Sequence, residues 1–342
     1  MTTFTDFCKR FICALGLSLL AQATPAACPG VFDNGGTLNV MTLNLLFSEY
    51  DKRSQRLKDI ASFIARNNIH IVGLQEVVGG RLDEILAFLT RGDSVDTDTA
   101  HELKKILKNR HGLNFDLRTA FSNGVPSVLS VYNAVLSRCK IVGREQVKKL
   151  PKTPELEIAG REIELGRSVL MTRAYAPGLG YINVYNTHLC ADCSNDQRLG
   201  QAKAAMKFVN GVEQGLPSKE VLFLGDFNIN VPRLPVLSDS PSSKLYRLIT
   251  GQNDFVDSYA RFVNTNNLCI PRRFELGCTY GVSNIADPFG ATPTRGRIDY
   301  IFGRGPLVVK KSNVVFNPRA KNGGRPPGVS DHSAVVTRYR LP

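Results

Sequence analysis

The sequence predicts a four-layer sandwich of the α/β (α+β) class, in which two packed, mixed and largely antiparallel β-sheets are flanked by helices on their outer sides. Three observations carry that reading. Apolar runs of strand length alternate with segments whose apolar residues recur at helical spacing. Successive strand-like runs in the middle of the chain are parted only by Pro or Gly turns, as antiparallel neighbours are. Single polar residues stand where several of the runs end. With 342 residues, 43% of them hydrophobic, no internal repeat and no dividing linker, one domain over 37–342 is expected.

At the N-terminus Lys9 and Arg10 precede an apolar stretch from Phe11 to Leu20 and then small residues, the pattern of an export signal over 1–23 with cleavage after Ala23. A short extension, 24–36, follows. The apolar stretch falls short of the roughly twenty residues that span a bilayer, so the mature chain is expected in a secreted or periplasmic compartment. Ala26-Ala27-Cys28 leaves a lipoprotein reading open, against which stands Pro25. Removing Cys8 and Cys13 leaves six cysteines that an oxidising compartment can pair: Cys190 with Cys193 and Cys269 with Cys278 as local pairs, Cys28 and Cys139 unassigned. A zinc or redox role for Cys190-x-x-Cys193 lacks a second such pair or flanking histidines.

The body begins with a strand at Leu38–Leu46. A helix at Arg53–Arg66 carries Leu57, Ile60, Ala61 and Ile64 on one face, and a strand at Ile69–Leu74 follows. Helices are expected at Leu82–Leu89 and His101–Lys108, then strands at Phe115–Ala120, Val131–Ser137, Ile141–Leu150, Glu155–Glu164, Val169–Tyr175 and Tyr181–Leu189. Asn195 and Asp196 are read as capping a helix over Gln197–Val212, with Leu199, Ala202, Met206 and Val209 as its buried stripe. The strand Glu220–Leu224 comes next. Residues from Pro232 to Pro293 read as long loops on the substrate face, and Arg297–Phe302 and Ser333–Tyr339 close the chain.

Strand ends deliver Asn44, Glu76, His188, Asp226 with Asn228, Asp299, and Ser330-Asp331-His332. Carboxylates, carboxamides and two imidazoles at one sheet edge are what metal-assisted attack on a phosphate ester requires. Taken singly each has a structural reading: Glu76 as a surface carboxylate, Asp226-x-Asn228 as a turn, His188 as a core histidine, Asp331-His332 as a strand cap. In this order they resemble the endonuclease/exonuclease/phosphatase (DNase I-like) superfamily, which includes nucleases, abasic-site endonucleases, sphingomyelinases and inositol polyphosphate phosphatases. The resemblance runs from about Leu38 to Tyr339.

The resemblance implies that Glu76 holds a divalent cation, usually Mg²⁺ with Mn²⁺ or Ca²⁺ as alternatives, and that Asn44 and Asp331 orient the ion or its waters. It implies His332 as general acid/base partnered by Asp299, Asp226 and Asn228 as the pair that positions water and phosphate, and His188 as a phosphate ligand. Where DNase I-like enzymes carry a glutamate beside the first histidine, this chain has Asn133 as the nearest polar candidate. An amide orients an imidazole without raising its pKa. Asn133, Arg198 and Arg167 are candidates for phosphate contact.

A balance of 43 Lys+Arg against 30 Asp+Glu gives +13 and a pI near 9.5, which favours partners bearing phosphate without choosing between nucleic acid and anionic lipid. A nuclease acting on DNA or RNA is favoured by basic residues around Arg272, Arg273, Arg295, Arg297, Lys321 and Arg325. The alternatives are a sphingomyelinase or phospholipid phosphodiesterase, a phosphoinositide phosphatase, and an inactive binding module. A membrane-acting enzyme favours exposed Trp, of which there is none; Phe274, Tyr280 and Phe289 are the substitutes. No stable protein partner is inferred and a monomer is expected.

Overall fold

The computed structural model describes Cys28 and residues 36–46, 53–79, 98–125, 129–151, 155–158, 161–164, 166–177, 179–234, 239–269, 277–282, 295–317 and 328–340. The expected signal, the helix read at Leu82–Leu89, the aromatics Phe274 and Phe289, and the cations Arg272, Arg273, Lys321 and Arg325 lie outside the described residues.

Two six-stranded sheets form the frame. The first has the order β13 (Val308–Val315), β14 (Ala334–Arg340), β1 (Thr37–Asn44), β2 (Ile71–Gly79), β4 (Leu129–Ser137), β3 (Asp116–Val125). The second runs β11 (Val256–Asp257), β12 (Asp299–Arg304), β10 (Glu220–Asp226), β9 (Gly180–His188), β8 (Ser168–Ala176), β5 (Lys140–Lys149). Each sheet holds one parallel pair, β1 with β2 and β9 with β10, and in each the crossover carries a helix: α1 (Arg53–Arg66) in the first, α3 (Asn195–Gly215) in the second. All other pairings in the two sheets are antiparallel.

Three apolar layers separate the four structural ones. Leu38, Val40, Ile71 and Val135 of the first sheet meet Leu170, Ile182, Val184, Leu222, Leu224 and Ile301 of the second. Met41, Leu43, Val72 and Leu74 face the other way, onto Leu57, Ile60 and Ile64 of α1 and Leu103 and Leu107 of α2 (Thr99–His111). Tyr185, Val221 and Phe223 meet Ala205, Met206 and Val209 of α3 and Leu245 and Ile249 of α4 (Pro241–Thr250). Because the central strands are buried on both faces, they read as continuous apolar runs rather than alternating ones. At Gly73 the sheets leave no room for a side chain, since an added Cβ would lie 1.9 Å from Leu224 Cδ1.

The elements differ from expectation in four places. Glu155–Glu164 is a hairpin, β6 (Glu155–Ile158) with β7 (Arg161–Glu164), rather than one strand. Helix α3 is capped by Ser194, whose hydroxyl accepts the Gln197 N–H while the Gln197 side chain accepts the Ser194 N–H. The stretch read as loop contains α4, capped by Ser240 with Pro241 opening the helix, and α5 (Ser258–Val263), capped by Asp257. Strand β13 went unread. Cys190 pairs with Cys193 and Cys269 with Cys278 as expected, and Cys28 pairs with Cys139. Among the described residues no helix is long and apolar enough to cross a membrane.

Candidate active site

The topology gathers the polar strand ends. Parallel strands β1 and β2, like β9 and β10, finish at the same edge, and β12 and β14, antiparallel to β10 and β1, begin there. Register then places Asp226 beside both His188 and Asp299. The residue before Asp226 has to be glycine: Gly225 has φ +139°, and a Cβ there would sit 1.9 Å from the Thr187 carbonyl oxygen.

Asp226 is the hub. Its Oδ2 accepts from Asn44 Nδ2 at 3.2 Å and lies 3.5 Å from His188 Nε2 and 3.8 Å from His332 Nε2. Its Oδ1 accepts the Asn228 N–H at 2.9 Å. Asn44 Nδ2 also donates to Glu76 Oε1 at 3.0 Å, while the Asn44 amide oxygen takes the Leu46 N–H. His188 Nδ1 stands 4.0 Å from Glu76 Oε1, and His332 Nδ1 pairs with Asp299 Oδ2 at 2.9 Å. Thus Asn44, Glu76, His188, Asp226, Asn228, Asp299 and His332 come together, and Asp331, next in the chain, acts electrostatically on His332. Glu76 at φ +53° and Asn228 at φ +49° both occupy the left-handed region. In Glu76 this coincides with a bulge between Leu74 and Val77 that turns its carboxylate out of strand register.

Burial and crowding of charge set the protonation. Burial, then Arg167 and His332, hold His188 well below the ordinary imidazole value, so it is neutral. Burial works against the His332 cation, but Asp299, Asp331 and Asp226 overcome it and hold that ring well above 6.5. Burial and the neighbouring Asp299 push Asp226 up to about 7, against His332 and the N–H groups of Asn228 and Asn44. A carboxylate disfavoured by burial and then by a carboxylate neighbour is a place where a cation is welcome. Glu76, partly open to solvent, offers a carboxylate of the kind a hard divalent ion takes. Asp226, Asp299 and His332 also offer three ligand atoms within 4.8 Å of one another.

Three expectations are corrected. Arg198 spends its guanidinium on the carbonyls of Cys190, Ala191 and Cys193 and on the Asn195 side chain, clamping the disulfide loop instead of meeting phosphate. Asn133 donates to the backbone and hydroxyl oxygens of Ser168, tying β4 to β8, rather than to substrate or His188. Arg297 is no surface cation: only 1% exposed, it pairs with Asp257 at 2.7 Å and lies over the Tyr300 ring. Burial with a paired carboxylate is what its position inside the loop cluster demands. Arg167 is buried and interacts electrostatically with Glu76 and Asp226, and Arg198 too feels the Asp226 carboxylate although its donors are spent on the loop.

Three supporting residues escaped the sequence reading. Gln75 Nε2 donates to Asn186 Oδ1 at 2.6 Å, and Asn186 Nδ2 donates to the carbonyls of Leu74 and Ala134, so a buried amide pair bridges the sheets beneath Glu76 and His188. Thr279, fully buried, accepts the N–H groups of Ile298 and Asp299 at its hydroxyl and that of Ser333 at its carbonyl. It follows the Cys269–Cys278 disulfide and precedes Tyr280, whose ring lies 4.9 Å from the His332 ring. Carboxamides within the strand-end motifs were the available signal for the first two; Thr279 carried none.

A two-sheet sandwich with carboxylates, amides and imidazoles converging on one buried aspartate at its rim defines a phosphoric ester hydrolase of the DNase I-like fold. The model of the Endonuclease/Exonuclease/phosphatase family matches residues 41–332, and the chain belongs to that family. No curated protein matches it. Among solved structures it is similar to an endonuclease/exonuclease/phosphatase family protein from Leptotrichia buccalis, with TM-score 0.61 and 20% identity over 89% of this chain and 100% of that one. It is similar to D. rerio TDP2 complexed with single strand DNA product, with TM-score 0.57 and 15% identity over 89% and 99% of the two chains. A mannosyl-6-phosphatase from Bacteroides thetaiotaomicron aligns with TM-score 0.58 and 17% identity over 89% and 100%.

Proposed function

We propose that this chain is an exported, Mg²⁺-dependent phosphodiesterase that hydrolyses nucleic acid. The observation that carries the chemistry is the position of Asp226 Oδ2, within 3.8 Å of both imidazoles and hydrogen-bonded to Asn44. The +13 charge supports a polyanionic substrate, and export accords with the leader-like N-terminus and three disulfides.

Glu76 and Asp331 would hold the metal, with Asn44 orienting the Glu76 carboxylate. A hard divalent ion there supplies Lewis-acid stabilisation of charge on the phosphoryl group. We favour Glu76 over the Asp226–Asp299–His332 cluster because Mg²⁺ prefers oxygen donors and His332 retains a proton. Because neighbouring carboxylates hold His332 protonated, the base role expected of it passes in this proposal to Asp226. Poised at about 7, Asp226 both positions the attacking water and takes its proton, with Asn228 fixing the carboxylate through its N–H. His332, cationic and aligned by Asp299, faces the charge that develops on phosphorus-bound oxygen, and neutral His188 and Arg167 bind the phosphate.

The test is a panel of plasmid DNA, RNA, sphingomyelin vesicles and inositol phosphates, each with Mg²⁺ and with chelator. Cleavage of DNA or RNA that the chelator stops is the expected result. Intact nucleic acid at low salt would reject the nuclease reading, and turnover of only lipid or inositol phosphate would replace it.

A further inference from the structure

Helix α1 buries Leu57, Ile60 and Ile64 against the first sheet, and on the same buried side it carries a charge, Arg56. Leu or Met would fill that volume without desolvating a guanidinium, so the charge needs a role that packing does not supply. Its hydrogen bonds show one. Arg56 Nε donates to the Val329 carbonyl at 2.6 Å and Nη2 to the Leu45 carbonyl at 3.1 Å.

Leu45 follows Asn44, and Val329 introduces Ser330-Asp331-His332. One planar fork therefore joins the turn that aims Asn44 to the turn that aims Asp331, two segments from opposite ends of the sequence. The first turn is otherwise held by the Leu45 N–H on the Gln75 carbonyl and by the Leu46 N–H on Asn44. The second is held by the Ser330 hydroxyl on Asp331 and the His332 N–H on Ser330. A cavity of about 10 Å³, close to the room one water needs, is lined by Arg53, Arg56, Glu76 and Thr99, so Arg56 shares a wall with the carboxylate expected to meet the metal.

We propose that Arg56 is a positioning residue for the cation site: by fixing the Asn44–Leu45 and Val329–Asp331 turns against Glu76, it sets the affinity of that site for a hard divalent ion. The inference rests on the metal-dependent reading given above. Lysine at this position keeps the charge but presents a point donor that cannot serve two carbonyls in fixed directions.

The experiment uses Mn²⁺ as the probe, with binding measured by electron paramagnetic resonance on the full chain and activity on plasmid DNA measured against Mn²⁺ concentration. Arg56→Lys should bind Mn²⁺ about tenfold more weakly, as loss of a residue that orients a metal ligand does. Its half-activating Mn²⁺ concentration should rise by the same factor, with kcat at saturating Mn²⁺ within about twofold of wild type. If the lysine variant does not fold, Arg56→Gln, which keeps an N–H donor, carries the same expectation. A folded variant with wild-type Mn²⁺ affinity overturns the proposal, whatever its Tm. Wild-type protein that binds no Mn²⁺, or a Glu76→Gln variant that binds it normally, ends the underlying metal reading instead and takes this role with it.

Discussion

Lowering the pH should weaken the fold through a group far from the catalytic rim. His70 precedes β2, fully buried, and its Nδ1 accepts the Asn39 N–H at 2.9 Å. Protonation would put a donor against that donor. Burial, then the nearby Arg138 and Arg338, lower its pKa from 6.5 to about 4. The unfolded chain therefore takes its proton first as pH falls. His70 contributes its full stability above 6.5, loses it between 6.5 and about 4, and is flat below. The drop corresponds to about 3 kcal/mol, a large share of the stability of a typical domain. His70→Gln keeps an acceptor for Asn39 and removes the titration. Urea unfolding of both proteins at pH 7.5 and pH 4 isolates the contribution, because every other titrating group cancels in the comparison. Wild type should lose about 3 kcal/mol more than the variant over that interval. Equal losses would show that His70 is not held neutral by its surroundings.

Other outcomes follow from single contacts. Thr279→Val leaves the Ile298 and Asp299 N–H groups without their acceptor and should lower kcat about tenfold with KM little changed, while Thr279→Ser retains activity; steady-state kinetics of the two decide. Gly225→Ala drives a Cβ toward the Thr187 carbonyl at a φ that alanine avoids and should cost about 3 kcal/mol, read as a fall in Tm. Replacing Cys28 and Cys139 together by Ser opens a loop with a sequence separation of 111, which should cost about 5 kcal/mol in urea unfolding under oxidising conditions and nothing under reducing ones.

The frame was legible because both sheets obey local rules. Apolar runs such as Val169–Met171 and Val221–Leu224 announce strands buried on both faces, and the Leu57–Ile60–Ile64 stripe announces α1. The candidate-site residues were legible because most stand where an apolar run ends, although Glu76 sits at a bulge inside β2, which continues to Gly79. What they do to one another was not, since the hub role of Asp226 arises from register between β9, β10 and β12. Arginines misled for the same reason. Arg198 and Arg297 read as surface cations, yet the carbonyls and carboxylate that satisfy them come from loops that no periodicity describes. Helix α4 did carry its signal, Ser240 then Pro241 then Leu245 and Ile249, hidden in a stretch whose Pro and Ser content suggested loop. The pairing of Cys28 with Cys139 is nonlocal and no spacing encodes it.

The decisive measurement is the rate at which purified protein cuts plasmid DNA, compared for wild type and His332→Ala, with Mg²⁺ and with chelator. Wild type should cut with Mg²⁺ and stop with chelator, and the variant, with its Tm retained and the cation facing the developing charge removed, should be slower by about a hundredfold or more. A variant as fast as wild type, or cleavage indifferent to the chelator, would contradict a metal-assisted reaction centred on Asp226, Asp299 and His332.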